Sequence, residues 1–224
     1  MNDDFFLDTY DSGVGSTIVF THGWTDNRNA WDGVITNLND HARCIAWSIR
    51  GHGESFAPPP GQYTRDHTLS DLKVITQRSK EKVILAGHSL GGYLSLAHSL
   101  LYPEDVEALI LVGAGPGFRK KESIDQWNSS VIESAKKLDL PEGSEATALH
   151  TDAWVIDSLN EIKVPTLVIV GEHDKRFKAS MSVFEKYLNV KSSVVVEDAG
   201  HSVHRKRPLE VANAIKDFLG EISQ

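Results

Sequence analysis

Val83-Ile84-Leu85-Ala86-Gly87-His88-Ser89-Leu90-Gly91-Gly92 decides how the chain is read. Four apolar residues read as a short buried strand. From Gly91 to Leu101 a helical pattern follows, with Leu94, Ala97, His98 and Leu101 sharing one face. A serine between them stands on a sharp strand-to-helix turn, where its hydroxyl is presented as a nucleophile. The turn strains the backbone, so the glycines two residues away, Gly87 and Gly91, must be small for strand and helix to pack closely. A G-x-S-x-G pattern recurs by chance in chains of this length. Its context, a strand before and a helix after, gives it meaning.

Further runs of the same kind lie outward from this elbow. Thr17-Ile18-Val19-Phe20 and Cys44-Ile45-Ala46-Trp47 precede it. Ala108-Leu109-Ile110-Leu111-Val112, Thr166-Leu167-Val168-Ile169-Val170 and Ser193-Val194-Val195-Val196 follow it. They are nearly continuous, so both faces are expected to be covered. Helical stripes lie between them, at Trp31, Val34, Ile35 and Leu38, at Val183, Phe184, Tyr187 and Leu188, and at Val211, Ile215, Phe218 and Leu219. Alternating strands and helices predict an α/β fold with a mostly parallel sheet and helices on both faces. Residues 116–155 break the alternation. Ile124, Trp127, Val131, Ala135 and Leu138 follow helical spacing, Pro141-Glu142-Gly143 punctuates the chain, and Ala146, Leu149, Ala153 and Ile156 suggest a second helix. The expected organisation is a core from residues 1–115 and 156–224, with a small helical insertion at 116–155.

Parallel sheets bind ligands at the carboxyl ends of their strands. Four such ends carry reactive groups. Ser89 is one. Thr21-His22-Gly23-Trp24 is a loop that can aim the Trp24 N–H at a carbonyl oxygen held by Ser89, with the Leu90 N–H as second donor of an oxyanion hole. Gly171-Glu172-His173-Asp174 offers Asp174 to orient a histidine, and Asp198-Ala199-Gly200-His201 offers His201 as general base. Glu172 and Asp198 read as solvated loop carboxylates. Ser89, Asp174 and His201 thus follow in the order nucleophile, acid, base.

The chain has 224 residues, 40% of them hydrophobic, enough for one core. A net charge of -8 argues against nucleic acid or anionic membrane as partner, leaving a small-molecule substrate. Oligomeric state is open, a homodimer included. No run approaches the ~18 apolar residues of a membrane span, and the acidic start, Met1-Asn2-Asp3-Asp4, does not read as a leader. Cys44 is the single cysteine, which excludes an internal disulfide and fits an expected cytoplasmic location. His201 and His204 form an H-x-x-H without further ligand spacing, so no metal is expected. Arg119, Trp127, Trp154 and His204 are candidate pocket residues, and His88 is expected to pack behind the elbow.

With His22-Gly23-Trp24, Arg50-Gly51-His52-Gly53-Glu54-Ser55, Gly87 to Gly92, Val164 to Asp174 and Ala199-Gly200-His201, nearly the whole chain resembles the α/β-hydrolase superfamily. The resemblance implies a Ser89–His201–Asp174 triad, a Trp24/Leu90 oxyanion hole, no cofactor and a small cap at the insertion. The serine separates it from haloalkane dehalogenases and epoxide hydrolases, which use aspartate there. Ser48 stands where many relatives have aspartate, two residues before Arg50. The short N-terminus leaves room for one strand, Phe5 to Tyr10, and hence about seven strands in all. The leading functional expectation is hydrolysis of a small or medium carboxylic ester. Alternatives are a C–C bond hydrolase, although Ser202 rather than tryptophan follows His201, or an enol-lactonase of aromatic degradation. A haloperoxidase-type site, a proton-abstracting lyase of the menaquinone-pathway kind and a triad-bearing ligand receptor with slow turnover also remain.

Overall fold

A computed structural model describes residues 5–138 and 140–223. Seven strands form one sheet: β1 (Thr9–Ser12), β2 (Thr17–Thr21), β3 (Arg43–Trp47), β4 (Val83–His88), β5 (Val106–Val112), β6 (Pro165–Gly171) and β7 (Asn189–Val196). Their spatial order is β1-β3-β2-β4-β5-β6-β7. Only β1 runs antiparallel, against β3. The others pair in parallel. Side chains alternate between the sheet faces as the pleat requires. Val19, Ile45, Leu85, Leu109 and Val168 enter one core, while Ile18, Phe20, Ala46, Ile84, Ile110 and Ile169 enter the other.

Helices cover both faces. On the first lie α2 (Arg65–Thr76), α3 (Leu90–Leu101) and α6 (Lys175–Tyr187), with α4 (Lys121–Lys137) and α5 (Trp154–Asp157) at its edge. On the second lie α1 (Asp32–Thr36), α7 (Val203–Lys206) and α8 (Pro208–Ile222). α2 is a helix beyond those expected from the sequence. Its Thr64 side chain caps the His67 N–H, and Leu69, Leu72 and Ile75 bury one narrow stripe. The chain passes from β2 to β3 on one side, then crosses to β4 on the other. The crevice between the ends of β2 and β4 is therefore the switch point of the sheet, where such folds open for ligands.

Three expectations need correction. The first strand is Thr9–Ser12 rather than residues 5–10, because Phe5 and Phe6 are exposed and Asp8 is pulled into a polar knot. Residues 146–156 are not one helix. The backbone N–H and C=O of His150 bond to the Asn128 side chain (2.9 and 2.8 Å), and Asp152 caps the Trp154 N–H at 3.1 Å, restarting the chain as α5. The edge strand β7 alternates between exposed and half-buried along most of its length, because one of its faces is left uncovered.

The Asp8 knot also accounts for Ser48. Ser48 Oγ donates to Asp8 Oδ2 at 2.8 Å and accepts from the Arg28 N–H at 3.1 Å, and Arg28 Nε donates to Asp8 Oδ1 at 2.6 Å. The carboxylate that Ser48 lacks is supplied from the N-terminal segment. Burial works to raise the Asp8 pKa, but hydrogen bonds from Arg28 and Ser48 and the Arg28 charge bring it below the usual range.

Candidate active site

Ser89 joins β4 to α3 with φ 52° and ψ -111°, a conformation L residues seldom take. Strain of this kind costs about 1–3 kcal/mol and persists only where the surroundings enforce it. Here the Ser89 N–H donates to the Val112 carbonyl of β5 at 3.0 Å, and its carbonyl accepts from Gly92 and Tyr93. A Cβ on Gly87 would lie 2.2 Å from the backbone of Gly91, so the turn closes only without one. The Leu90 N–H lies in the first turn of α3, where a helix supplies no internal acceptor. Trp24 lies in the turn after β2, closed by the Asp26 N–H on the Gly23 carbonyl at 3.2 Å.

Asp174 follows β6 and caps α6. Its Oδ1 accepts the Phe177 N–H at 3.3 Å, while Oδ2 stands 2.8 Å from His201 Nδ1. Burial pushes the Asp174 carboxyl up, but the hydrogen bond and charge of His201 outweigh it and hold the pKa below the ordinary value. With Nδ1 committed to Asp174, Nε2 is the histidine nitrogen left for Ser89. The His201 loop is anchored by the His173 N–H on the Ala199 carbonyl (2.8 Å) and by His88 Nε2 at 3.0 Å from the His201 carbonyl. The Phe177 ring stacks on His201, with centroids 4.8 Å apart. Gly113, at φ 52°, lies under the pair. A Cβ there would come within 3.2–3.3 Å of the His201 carbonyl, Asp174 Oδ2 and His201 Nδ1.

Two cavities open at Ser89. One, about 230 Å³, is lined by Leu90, Tyr93, Phe118, Trp127, His150 and Phe177 among others. The second, about 640 Å³, is lined by Trp24, Asp26, Asp174 and His201 among others. Trp127 thus lies on the site. Three other candidates do not line either cavity. Arg119 turns outward to Asp157 (2.6 Å) and the Ile156 carbonyl. Trp154 packs on the core beneath the Arg65 guanidinium. His204 is 1% exposed, wedged between the rings of Trp31 and His88. The short turn α7 rotates it inward, and burial lowers its pKa to about 3. Tyr93, Phe118, His150, Arg176 and Phe177 line the smaller cavity and Gly113 lies under His201, although no local pattern in the sequence singles them out. Phe177 alone left a trace, three residues after the acid that caps its helix.

Two further histidines are structural. His22 accepts the Ile49 N–H at Nε2 (2.9 Å), so its Nδ1 carries the proton donated to the Gly23 carbonyl (2.7 Å). It ties the Trp24 loop to the segment entering Arg50, and burial lowers its pKa to about 3. His88 is buried as expected, and burial with its histidine neighbours holds its pKa well below the normal range. Among the described residues one group could offer three metal ligands, Glu172, His173 and Asp198, all exposed and lining neither cavity. No described helix is long and apolar enough to cross a membrane.

The family model for the alpha/beta hydrolase fold matches residues 16–138. The chain belongs to this family. A protein of Bacillus subtilis (strain 168), provisionally named 2-succinyl-6-hydroxy-2,4-cyclohexadiene-1-carboxylate synthase, is 27% identical over 93% of this chain and 92% of its own length. The pimeloyl-[acyl-carrier protein] methyl ester esterase of Wigglesworthia glossinidia brevipalpis is 23% identical over 92% and 95%. The thermophilic esterase from Thermogutta terrifontis superposes with a TM-score of 0.82 at 25% identity, covering 97% of this chain and 94% of that one. This α/β hydrolase is an enzyme, and Ser89 stands at the switch point of its seven-stranded sheet.

Proposed function

We propose that this enzyme hydrolyses small or medium carboxylic esters through a Ser89–His201–Asp174 triad. The observation that carries the reading is the 2.8 Å contact between His201 Nδ1 and Asp174 Oδ2, on the wall of a cavity that Ser89 also lines. In the first step His201 Nε2 takes the Ser89 proton as Oγ attacks the carbonyl carbon. The Trp24 and Leu90 N–H groups receive the charge on the carbonyl oxygen. The C–O bond to the alcohol breaks, and His201 returns the proton to it. Water, deprotonated by His201, then attacks the acyl-serine; the acyl bond to Ser89 Oγ breaks, His201 returns the proton to that oxygen, and the acid is released. These steps use the protein's own groups and a small-molecule substrate.

The test is a panel of p-nitrophenyl esters of increasing chain length, run beside lactones and ring-cleavage dienes. A peak among short or medium esters, abolished in Ser89→Ala, is the expected result; full activity in that variant would refute the triad. The Bacillus subtilis relative favours a second reading, elimination initiated by His201 as base. It predicts turnover without an acyl-Ser89 species, which mass spectrometry of quenched enzyme separates from the first.

A further inference from the structure

Four residues line both cavities: Ser89, Trp127, Arg176 and Phe177. The walls also carry charge. Asp26 is engaged by Arg205 at 2.5 and 3.1 Å, and Asp174 by His201. His150, on the smaller cavity, is held neutral because burial lowers its pKa to about 4. Arg176 has no carboxylate within ion-pair distance among the described residues. Among the described residues it is the one unpaired cation of these walls, in a chain whose net charge is -8.

Its position is also constrained. The guanidinium carbon stands 5.3 Å from the Trp127 ring centroid, in the range for cation–π attraction. Trp127 is itself fixed, since its indole N–H donates to the Ala148 carbonyl at 2.8 Å. A guanidinium stacked by one face keeps its in-plane N–H donors free, the geometry that grips a carboxylate with two hydrogen bonds. We propose that Arg176 is a specificity residue that selects esters carrying a second, free carboxylate, the half-esters of dicarboxylic acids. The inference rests on the ester-hydrolase reading and deepens it. Ser89 sets the bond cleaved, and Arg176 sets which acyl group is held there.

The experiment compares kcat/KM, by pH-stat, for ethyl hydrogen succinate against ethyl butyrate and for ethyl hydrogen adipate against ethyl hexanoate. The wild type is expected to favour the half-ester in at least one pair. Arg176→Gln should lower that preference about tenfold, mainly through KM, and Arg176→Lys should retain most of it. The wild-type preference should shrink as salt rises, because the arginine is exposed. Calorimetric titration of Ser89→Ala protein with ethyl hydrogen adipate should give the same order of affinities without turnover. A wild type indifferent to the carboxylate, or an Arg176→Gln enzyme with unchanged preference, overturns the proposal. If Ser89→Ala is inactive while preference ignores Arg176, only this inference falls. If Ser89→Ala keeps its activity, the triad falls, and the half-ester preference of wild type against Arg176→Gln alone judges Arg176.

Discussion

The elbow around Ser89 and the segment between β5 and β6 face each other across the site, and they are held by different means. The elbow is fixed by backbone. Ser89 bonds to Val112, Gly113 donates to the Ile169 carbonyl at 2.8 Å, and hydrogen-only positions let the elements touch. The segment opposite is fixed by side chains. Trp24 reaches Ser134 (2.9 Å), Trp127 reaches Ala148, Asn128 holds His150, and Arg65 grips Asp152 with two bonds of 2.8–2.9 Å. Backbone constraints tolerate almost no substitution, whereas side-chain ties can be exchanged singly. On the proposed mechanism, chemistry is built on the rigid side and selectivity on the adjustable one.

Substitution breaks or sharpens that contrast. The largest effect should come from Ser89→Ala, with kcat falling by roughly 10⁴-fold or more on any ester. Asp174→Asn should follow at about 10³–10⁴, since the wrong histidine tautomer would be favoured. Both are read by steady-state kinetics on the preferred p-nitrophenyl ester. Gly113→Ala should destabilise by about 2–3 kcal/mol, from the positive φ and the crowding beneath His201, lowering Tm by roughly 5–10 °C in calorimetry. Trp127→Phe should cost only about 1 kcal/mol, for one lost hydrogen bond, and shift the preferred acyl length. If Trp127→Phe proved as damaging as Asp174→Asn, the division between the two sides would be wrong.

A smaller effect depends on pH. Because the folded-state pKa of Asp174 is depressed, its contribution to stability is complete above the ordinary carboxylate value of about 3.9 and is lost as pH falls through the lower folded value. The stability difference between wild type and Asp174→Asn, followed by denaturant titration, should therefore narrow below about pH 4. A gap that widened in acid would mean that His201 does not hold the carboxylate charged.

The legible parts of the molecule were those governed by neighbours in the chain. Ser89, Asp174 and His201 stand just after strands whose apolar runs are unmistakable, and a parallel sheet brings such ends together. Gly87 answers a steric demand within the elbow, since a Cβ there would meet the backbone of Gly91, whereas Gly91 and Gly92 answer the approach of Thr21 and Ala114, which docking brings close. Arg119, Trp154 and His204 line neither cavity, and the sequence does not say so because aromatic and charged residues look alike in it whether they face a cavity, a core or solvent. His204 fits helical spacing equally well in any of these settings, and only the docking of α7 against Trp31 decides among them. The helix expected over residues 146–156 failed for the same reason, since Asn128 claims the backbone groups a helix would have used.

By itself, then, the sequence determined the layered α/β fold and the standing of Ser89, Asp174 and His201 just after successive strands, because strand pattern acts over a few residues. The tertiary structure alone decided what surrounds Ser89. Gly113 beneath the acid–base pair, Phe177 on the imidazole, Asp8 completing Ser48 and Arg176 over Trp127 all join residues brought together by the docking of separate elements. Such contacts are set by register and helix rotation, which no local pattern in the chain encodes.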